Sequence, residues 1–98
     1  MESPDNVCEQ HSNEDINLNI FVEDNMVFIK GNRISLCFLS KLLMAQAEFE
    51  GDDGFQISPF GAGRIFFDSK SKYGVYIHNC GQIKKKMPGT RKGRIKNK

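Results

Sequence analysis

The stretch ISLCFLSKLLMAQAEFE (residues 34–50) is the longest apolar segment of the chain, and it decides the fold. At helical spacing its apolar side chains form two adjacent stripes: Leu36, Leu39, Leu43 and Ala47 in one, Phe38, Leu42, Ala45 and Phe49 in the other. We predict a helix with Ser35 as its N-cap and Gly51 just after its end. Residues 34–38 alone would also suit a strand. A helix so widely apolar should be covered on more than one side.

Two runs that alternate with a period of two precede this helix. In the first, Leu18, Ile20 and Val22 alternate with Asn17, Asn19 and Phe21, and the second is MVFIK at residues 26–30. If Asp24-Asn25 is a two-residue turn, like residues face each other on both faces of the pair. The expected cross-strand pairs are Val22 with Val27, Ile20 with Ile29, and Phe21 with Phe28. The pattern therefore predicts a β-hairpin.

Shorter apolar runs follow the helix. Residues 55–58 suggest a short strand that ends at Pro59, and residues 64–67 and 73–78 suggest a second hairpin. The predicted fold class is α+β, with element order ββαβββ. In it, a small antiparallel sheet of two hairpins plus a short strand packs against one helix.

Charge is sharply segregated along the 98 residues, although the net charge is only +2. Residues 1–24 carry seven acidic groups and no basic one, whereas residues 84–98 carry eight basic groups and no acidic one. Both ends also have few aliphatic residues. We therefore predict an acidic disordered arm over 1–15, a single α+β domain over 16–83 and a basic disordered tail over 84–98.

Composition also bears on location and chemistry. The acidic N-terminal run resembles no secretory signal, and no apolar run approaches the length of a membrane span. Three widely spaced cysteines favour a reducing compartment, so we expect an intracellular protein, cytoplasmic or nuclear, with no membrane partner. Cys8, His11, His78 and Cys80 lack zinc-finger spacing. His78 and Cys80 could serve as base and nucleophile of a small enzyme, but no third group is placed to orient the base. We expect no metal, no cofactor and no enzymatic activity.

The basic tail predicts a non-enzymatic, nucleic-acid-associated binding protein. Its cations would neutralise phosphates of a nucleic acid or another polyanion without reading sequence. Arg64, Lys70 and Lys72 would extend this surface, and Phe66 and Tyr76, if they share the open sheet face, would stack on unpaired bases. The predicted tail contacts are Lys84, Lys85, Lys86, Arg91, Lys92, Arg94, Lys96 and Lys98.

A protein-binding role is the alternative, as an inhibitor, immunity factor or adaptor of the phage or plasmid accessory type. Two surfaces could contact a larger partner protein: an exposed aromatic pair, or an acidic cluster at the end of the helix. The residues are Phe21 and Phe28 for the first and Glu48, Glu50, Asp52 and Asp53 for the second. Homodimerisation would cover the apolar surface that so small a domain leaves exposed.

Overall fold

A computed structural model of the chain describes residues 2–49 and 54–80. These residues form two α-helices and two separate two-stranded antiparallel sheets. In chain order the elements are α1 (Pro4–Gln10), β1 (Asn19–Glu23), β2 (Met26–Lys30), α2 (Arg33–Glu48), β3 (Gly54–Ile57), a 3₁₀ helix (Arg64–Phe66) and β4 (Val75–His78). The predicted α+β class is confirmed. The single sheet is wrong, because β1 pairs with β2 and β3 pairs with β4.

The first hairpin has the predicted register. Ile20 faces Ile29, Phe21 faces Phe28 and Val22 faces Val27. Asp24 and Asn25 form the turn with φ values of 54° and 64°. Positive φ at both central residues defines a type I′ turn, whose twist matches that of the flanking strands.

The apolar segment is helical, which excludes the strand interpretation of residues 34–38. The N-cap is Asn32 rather than Ser35, because the Asn32 side chain accepts a hydrogen bond of 2.9 Å from the Ser35 N–H. Ser35 lies one turn further on and is fully buried. Its hydroxyl accepts a hydrogen bond of 2.8 Å from the Asn17 N–H, so it ties the start of α2 to the segment before β1.

Only one side of α2 is covered within the described residues. Phe38, Leu42 and Ala45 are buried, together with Leu39 from the other stripe, but Leu36 and Leu43 stay nearly half exposed. The expectation of cover on more than one side is therefore wrong for the part of the chain that the structure describes. The core gathers side chains from most elements: Val7, Ile16, Leu18, Ile20, Phe38, Leu39, Leu42, Ala45, Ile57, Phe66 and Phe67.

The prediction that residues 1–15 are a disordered arm is wrong, because α1 is helical and packs on α2. Ser3 caps α1 by accepting a 3.1 Å hydrogen bond from the Asn6 N–H, and Pro4 occupies the first helical position. Val7 is fully buried in the core. Buried Val7 and Pro4, with the Ser3 cap, dock this short helix.

The predicted second hairpin is also wrong. Residues 64–66 form a 3₁₀ helix, and β4 pairs instead with β3, where Gln56 faces Tyr76. Phe66 and Phe67 are drawn into the core, because burying two large aromatic side chains stabilises more than an exposed two-stranded ladder would. Leu18 joins the two halves of the fold: its N–H donates to the Phe66 carbonyl and its carbonyl accepts from the Asp68 N–H.

Residues 50–53 and 81–98 lie outside the described residues, so the predicted basic tail stays a prediction. No helix within the part described is long and apolar enough to cross a membrane.

Candidate functional site

The β1–β2 hairpin exposes apolar side chains on both of its faces. Ile20 is the only residue of the two strands that is buried. On the face that carries Ile20, Val22 is 53% exposed, Val27 64% and Ile29 46%. Adjacent apolar residues exposed in this way mark a contact surface more often than scattered single ones do. The hairpin is therefore the strongest candidate for a binding site.

The opposite face carries the predicted aromatic pair. The rings of Phe21 and Phe28 are parallel, with centroids 5.0 Å apart, and both side chains are partly exposed. The Lys30 Nζ lies 5.9 Å from the centroid of the Phe21 ring, within the range of a cation–π interaction. Phe21 and Phe28 are thus brought together as predicted, and the neighbouring cation adds a polar border to an apolar patch.

Hydrogen bonds at the base hold the hairpin on the core. The Ile20 N–H donates to the Ser71 hydroxyl over 3.0 Å, and that hydroxyl donates to the Tyr73 carbonyl over 3.2 Å. Ser71 is buried. The base of the hairpin is therefore attached to the loop that carries Ser71, while the rest of the hairpin stays exposed.

Only part of the predicted acidic surface is described. Glu48 ends α2 and is exposed, while Glu50, Asp52 and Asp53 lie outside the described residues. Glu48 lines a shallow groove between the helices together with Glu2 of the N-terminal segment and Lys41 and Met44 of α2. Glu2 of the acidic N-terminal region therefore lies near the C-terminal half of α2, a proximity that the sequence did not indicate.

The predicted base-stacking pair is not assembled. Phe66 is 4% exposed and stacks on Phe38 in the core, with ring centroids 4.5 Å apart. Tyr76 is exposed on β4, beside the ring of His78 at 6.3 Å. Since Phe66 cannot reach a base, the prediction that these two residues share an open face is wrong.

The predicted basic residues of the body are exposed but do not form a uniform cationic patch. Arg64 shares a cleft with Asp68, whose carboxylate accepts a 2.8 Å hydrogen bond from the Lys70 N–H. Lys72 follows on the same loop. The eight cations of residues 84–98 lie beyond the described residues.

A cavity of about 720 Å³ opens between α1, β3 and the loop that leads into the 3₁₀ helix. Phe55, Ile57 and Phe66 give it an apolar lining, and Cys8 of α1 contributes a thiol. Burial, reinforced by the negative charge of Asp5, raises the pKa of this thiol to about 11. Cys8 is therefore protonated at neutral pH and is a weak nucleophile.

Sequence reasoning missed the part that α1 plays in this cavity. The Ser3-Pro4 dipeptide was the available signal, because a capping residue followed by Pro at the first helical position is typical of a helix start. The strong acidic bias and the single aliphatic residue hid that signal. Within the described residues, no three His, Cys, Asp or Glu side chains are placed to hold a metal ion.

No protein-family model, no curated protein and no solved structure matches this chain.

Proposed function

We propose that this chain is a non-enzymatic protein-binding module, of the inhibitor, immunity-factor or adaptor type, that contacts a larger protein through the β1–β2 hairpin. The observation that carries the proposal is the coexistence of the stacked Phe21/Phe28 pair on one face with exposed Val22, Val27 and Ile29 on the other. Two apolar faces on an anchored projection suit insertion into a groove of a partner.

The aromatic pair is the expected energetic centre of that contact. Aromatic residues dominate the few positions that contribute most of the binding free energy in protein interfaces. Phe21 and Phe28 hold each other in one orientation, so little side-chain entropy remains to be lost on binding. Glu23, Asp24 and Lys30 would form the polar rim around them.

Site-specific photocrosslinking tests this proposal. A photoreactive phenylalanine analogue at position 21 should capture a protein other than a second copy of this chain in cells, and the same analogue at position 60 should not. Phe60 is the control because it is 75% exposed but lies in the loop after β3, away from the hairpin.

The captured partner then allows a quantitative comparison. Phe21→Ala and Phe28→Ala should each weaken binding to the purified partner at least about tenfold, as expected for interface hot spots, while Phe60→Ala changes it less than about twofold. Circular dichroism would check that the variants stay folded. Equal losses for all three variants, or no loss at Phe21 and Phe28, would contradict the proposal.

The second candidate function is sequence-independent binding of nucleic acid or another polyanion by residues 84–98. The eight cations without an acidic neighbour favour it. Full-length protein should bind generic duplex and single-stranded DNA and RNA with an affinity that falls steeply with salt, and a 1–83 truncation should not bind. Binding that survives in the truncation would contradict the role assigned to the tail.

A further inference from the structure

The backbone of β2 has an open edge, which follows from the register of the hairpin. In a two-residue turn the carbonyl of the residue before it accepts from the N–H of the residue after it, here Glu23 and Met26. Hydrogen-bonded and non-hydrogen-bonded pairs then alternate along an antiparallel ladder. The Val22–Val27 and Ile20–Ile29 pairs are therefore non-hydrogen-bonded, and their N–H and C=O groups point away from the hairpin.

Hydrogen bonds on the β1 side support this alternation. The Ile20 N–H donates outward to Ser71, and Leu18 donates outward to the Phe66 carbonyl. The outer edge of β1 is thus occupied near its base. On β2, the outward N–H and C=O groups of Val27 and Ile29 find no hydrogen-bond partner among the described residues.

We propose that this open edge of β2 pairs antiparallel with β2 of a second copy of the chain, about a two-fold axis at Phe28, to form a continuous four-stranded sheet. The inference goes beyond the proposed function: the second copy pairs with the backbone edge of the hairpin, whereas the larger partner would contact the side chains on its faces. In this register Val27 of each copy faces Ile29 of the other, and the two residues exchange both hydrogen bonds. The N–H groups of Val27 and Ile29 in both copies, four donors in all, thereby gain acceptors.

The side chains are self-complementary in that register. Phe28 meets Phe28 of the other copy in a non-hydrogen-bonded pair, the arrangement in which opposite side chains approach most closely. The stack of Phe21 on Phe28 is then continued across the axis. On the other face Val27 and Ile29, which are 64% and 46% exposed in one copy, pack against each other.

Charge also favours a second copy as the occupant. The turn is acidic, with Glu23 and Asp24, while the base of the hairpin carries Lys30 and is followed by Arg33. An antiparallel arrangement sets the acidic turn of each copy beside the basic base of the other. Lys30 faces the uncharged Met26, so no like charges are opposed.

An uncovered edge strand of this composition would be prone to aggregation by pairing with other strands. Exposed edge strands usually carry Pro, Lys or a bulge that prevents further pairing. Within β2 the one such residue is Lys30 at the end of the strand; the run Val27-Phe28-Ile29 before it has none, and its ladder is regular. Pairing with a second copy would close this part of the edge.

Sedimentation equilibrium of the full chain tests the association. It should be done with a reductant, because Cys37 and Cys80 are exposed. The mean mass should rise with concentration from 11.1 kDa towards twice that value. Val27→Pro removes an outward donor without removing a bond inside the hairpin, and it should weaken self-association at least about tenfold, since two hydrogen bonds are lost per dimer.

Val22→Pro is the matched control. It makes the same change at the facing position of the same cross-strand pair, but on β1, and it should leave self-association unchanged. Amide exchange followed by NMR tests the register: the Val27 and Ile29 amides should become protected as concentration rises, whereas those of Met26 and Phe28 are protected throughout.

Three results would overturn the inference. They are a mass of 11.1 kDa at every soluble concentration, a dimer in which the Val27 and Ile29 amides still exchange freely, and protection of those amides that does not depend on concentration. A monomer whose binding to a captured partner still requires Phe21 would leave the proposed function standing. A dimer with the predicted protection whose partner binding is insensitive to Phe21→Ala would overturn the proposed function alone.

Discussion

At the scale of single residues, Ser35 joins three segments through one buried hydroxyl. It accepts from the Asn17 N–H at 2.8 Å and lies 2.5 Å from the Asn32 Oδ1, the atom that caps α2. Gly31 makes room for it, because a Cβ at that position would stand 2.8 Å from the Ser35 Cβ. The sequence pattern assigns Ser35 to the N-cap of α2. In the structure Ser35 instead contacts both the true cap, Asn32, and the segment before β1.

Ser35→Ala should therefore lower the free energy of unfolding by about 1–3 kcal/mol, because a partly buried N–H loses its acceptor. Ser40→Ala is the matched control: it lies on the same helix, but its hydroxyl is exposed and bonds the Cys37 carbonyl. It should change stability by less than about 0.5 kcal/mol. Urea denaturation of both variants measures the difference, and similar losses for the two would contradict the role of Ser35.

Cys8 gives a prediction for alkaline pH. Its pKa is raised from 9.0 to about 11 by burial and by Asp5, so the folded state holds the thiol proton more tightly than the unfolded state. The stability that this provides is fully present below pH 9 and is lost as pH rises from about 9 through 11. Relative to Cys8→Ala, the wild type should lose unfolding free energy across that window. Parallel pH dependences for the two proteins would contradict the prediction.

At the scale of elements, a helix or strand pair could be predicted where several local sequence signals agree with one another. The first hairpin was predicted with its register, because three cross-strand pairs and a turn that tolerates positive φ agree with one another. Helix α2 was predictable from its long 3.6-residue repeat. Helix α1 has seven residues and one buried aliphatic side chain, too few for a periodicity to appear. The run at residues 64–67 also suits a strand, and its 3₁₀ conformation goes with long-range packing, such as the stack of Phe66 on Phe38, that the sequence does not show.

Val7 tests how much α1 contributes. Val7→Ala should lower the free energy of unfolding by about 1–3 kcal/mol, since a fully buried side chain is truncated in the core. Asn6→Ala, at the exposed neighbouring position, should change it by less than about 0.5 kcal/mol. Thermal or urea denaturation is the measurement, and an unchanged midpoint for Val7→Ala would mean that α1 does not dock.

At the scale of the whole molecule, the acidic end takes part in the fold. The acidic end supplies Val7 to the core, and the ring edge of His11 packs against Phe38 with centroids 5.4 Å apart. Every residue of the described core lies between Val7 and Phe67. The candidate site shows the same limits of sequence reasoning: Phe21 and Phe28 were found from local pairing, whereas the burial of Phe66 depends on long-range packing.

Two truncations should separate the two charged ends. Removing residues 84–98 should leave the free energy of unfolding within about 0.5 kcal/mol of that of the full chain, because no described core residue is lost. Removing residues 1–15 should lower it by more than about 2 kcal/mol, because the Val7 contact is lost and the core around Phe38 is uncovered. Urea denaturation compares the three chains. If the 16–98 chain were as stable as the full chain, residues 1–15 would contribute nothing to the fold, as the prediction of a disordered arm had it.

The hydrogen bond between Ile20 and Ser71 has a consequence for biosynthesis. It joins residues 51 positions apart, whereas the hairpin needs only the residues up to Lys30. At about 5–20 residues per second, a ribosome needs roughly 2–8 s more to reach Ser71. For that interval the nascent hairpin has both edges bare, although its own pairing takes only microseconds. The chain is therefore most exposed to pairing with the wrong strand while it is still being translated, and the arrival of Ser71 closes the base of β1 to such pairing.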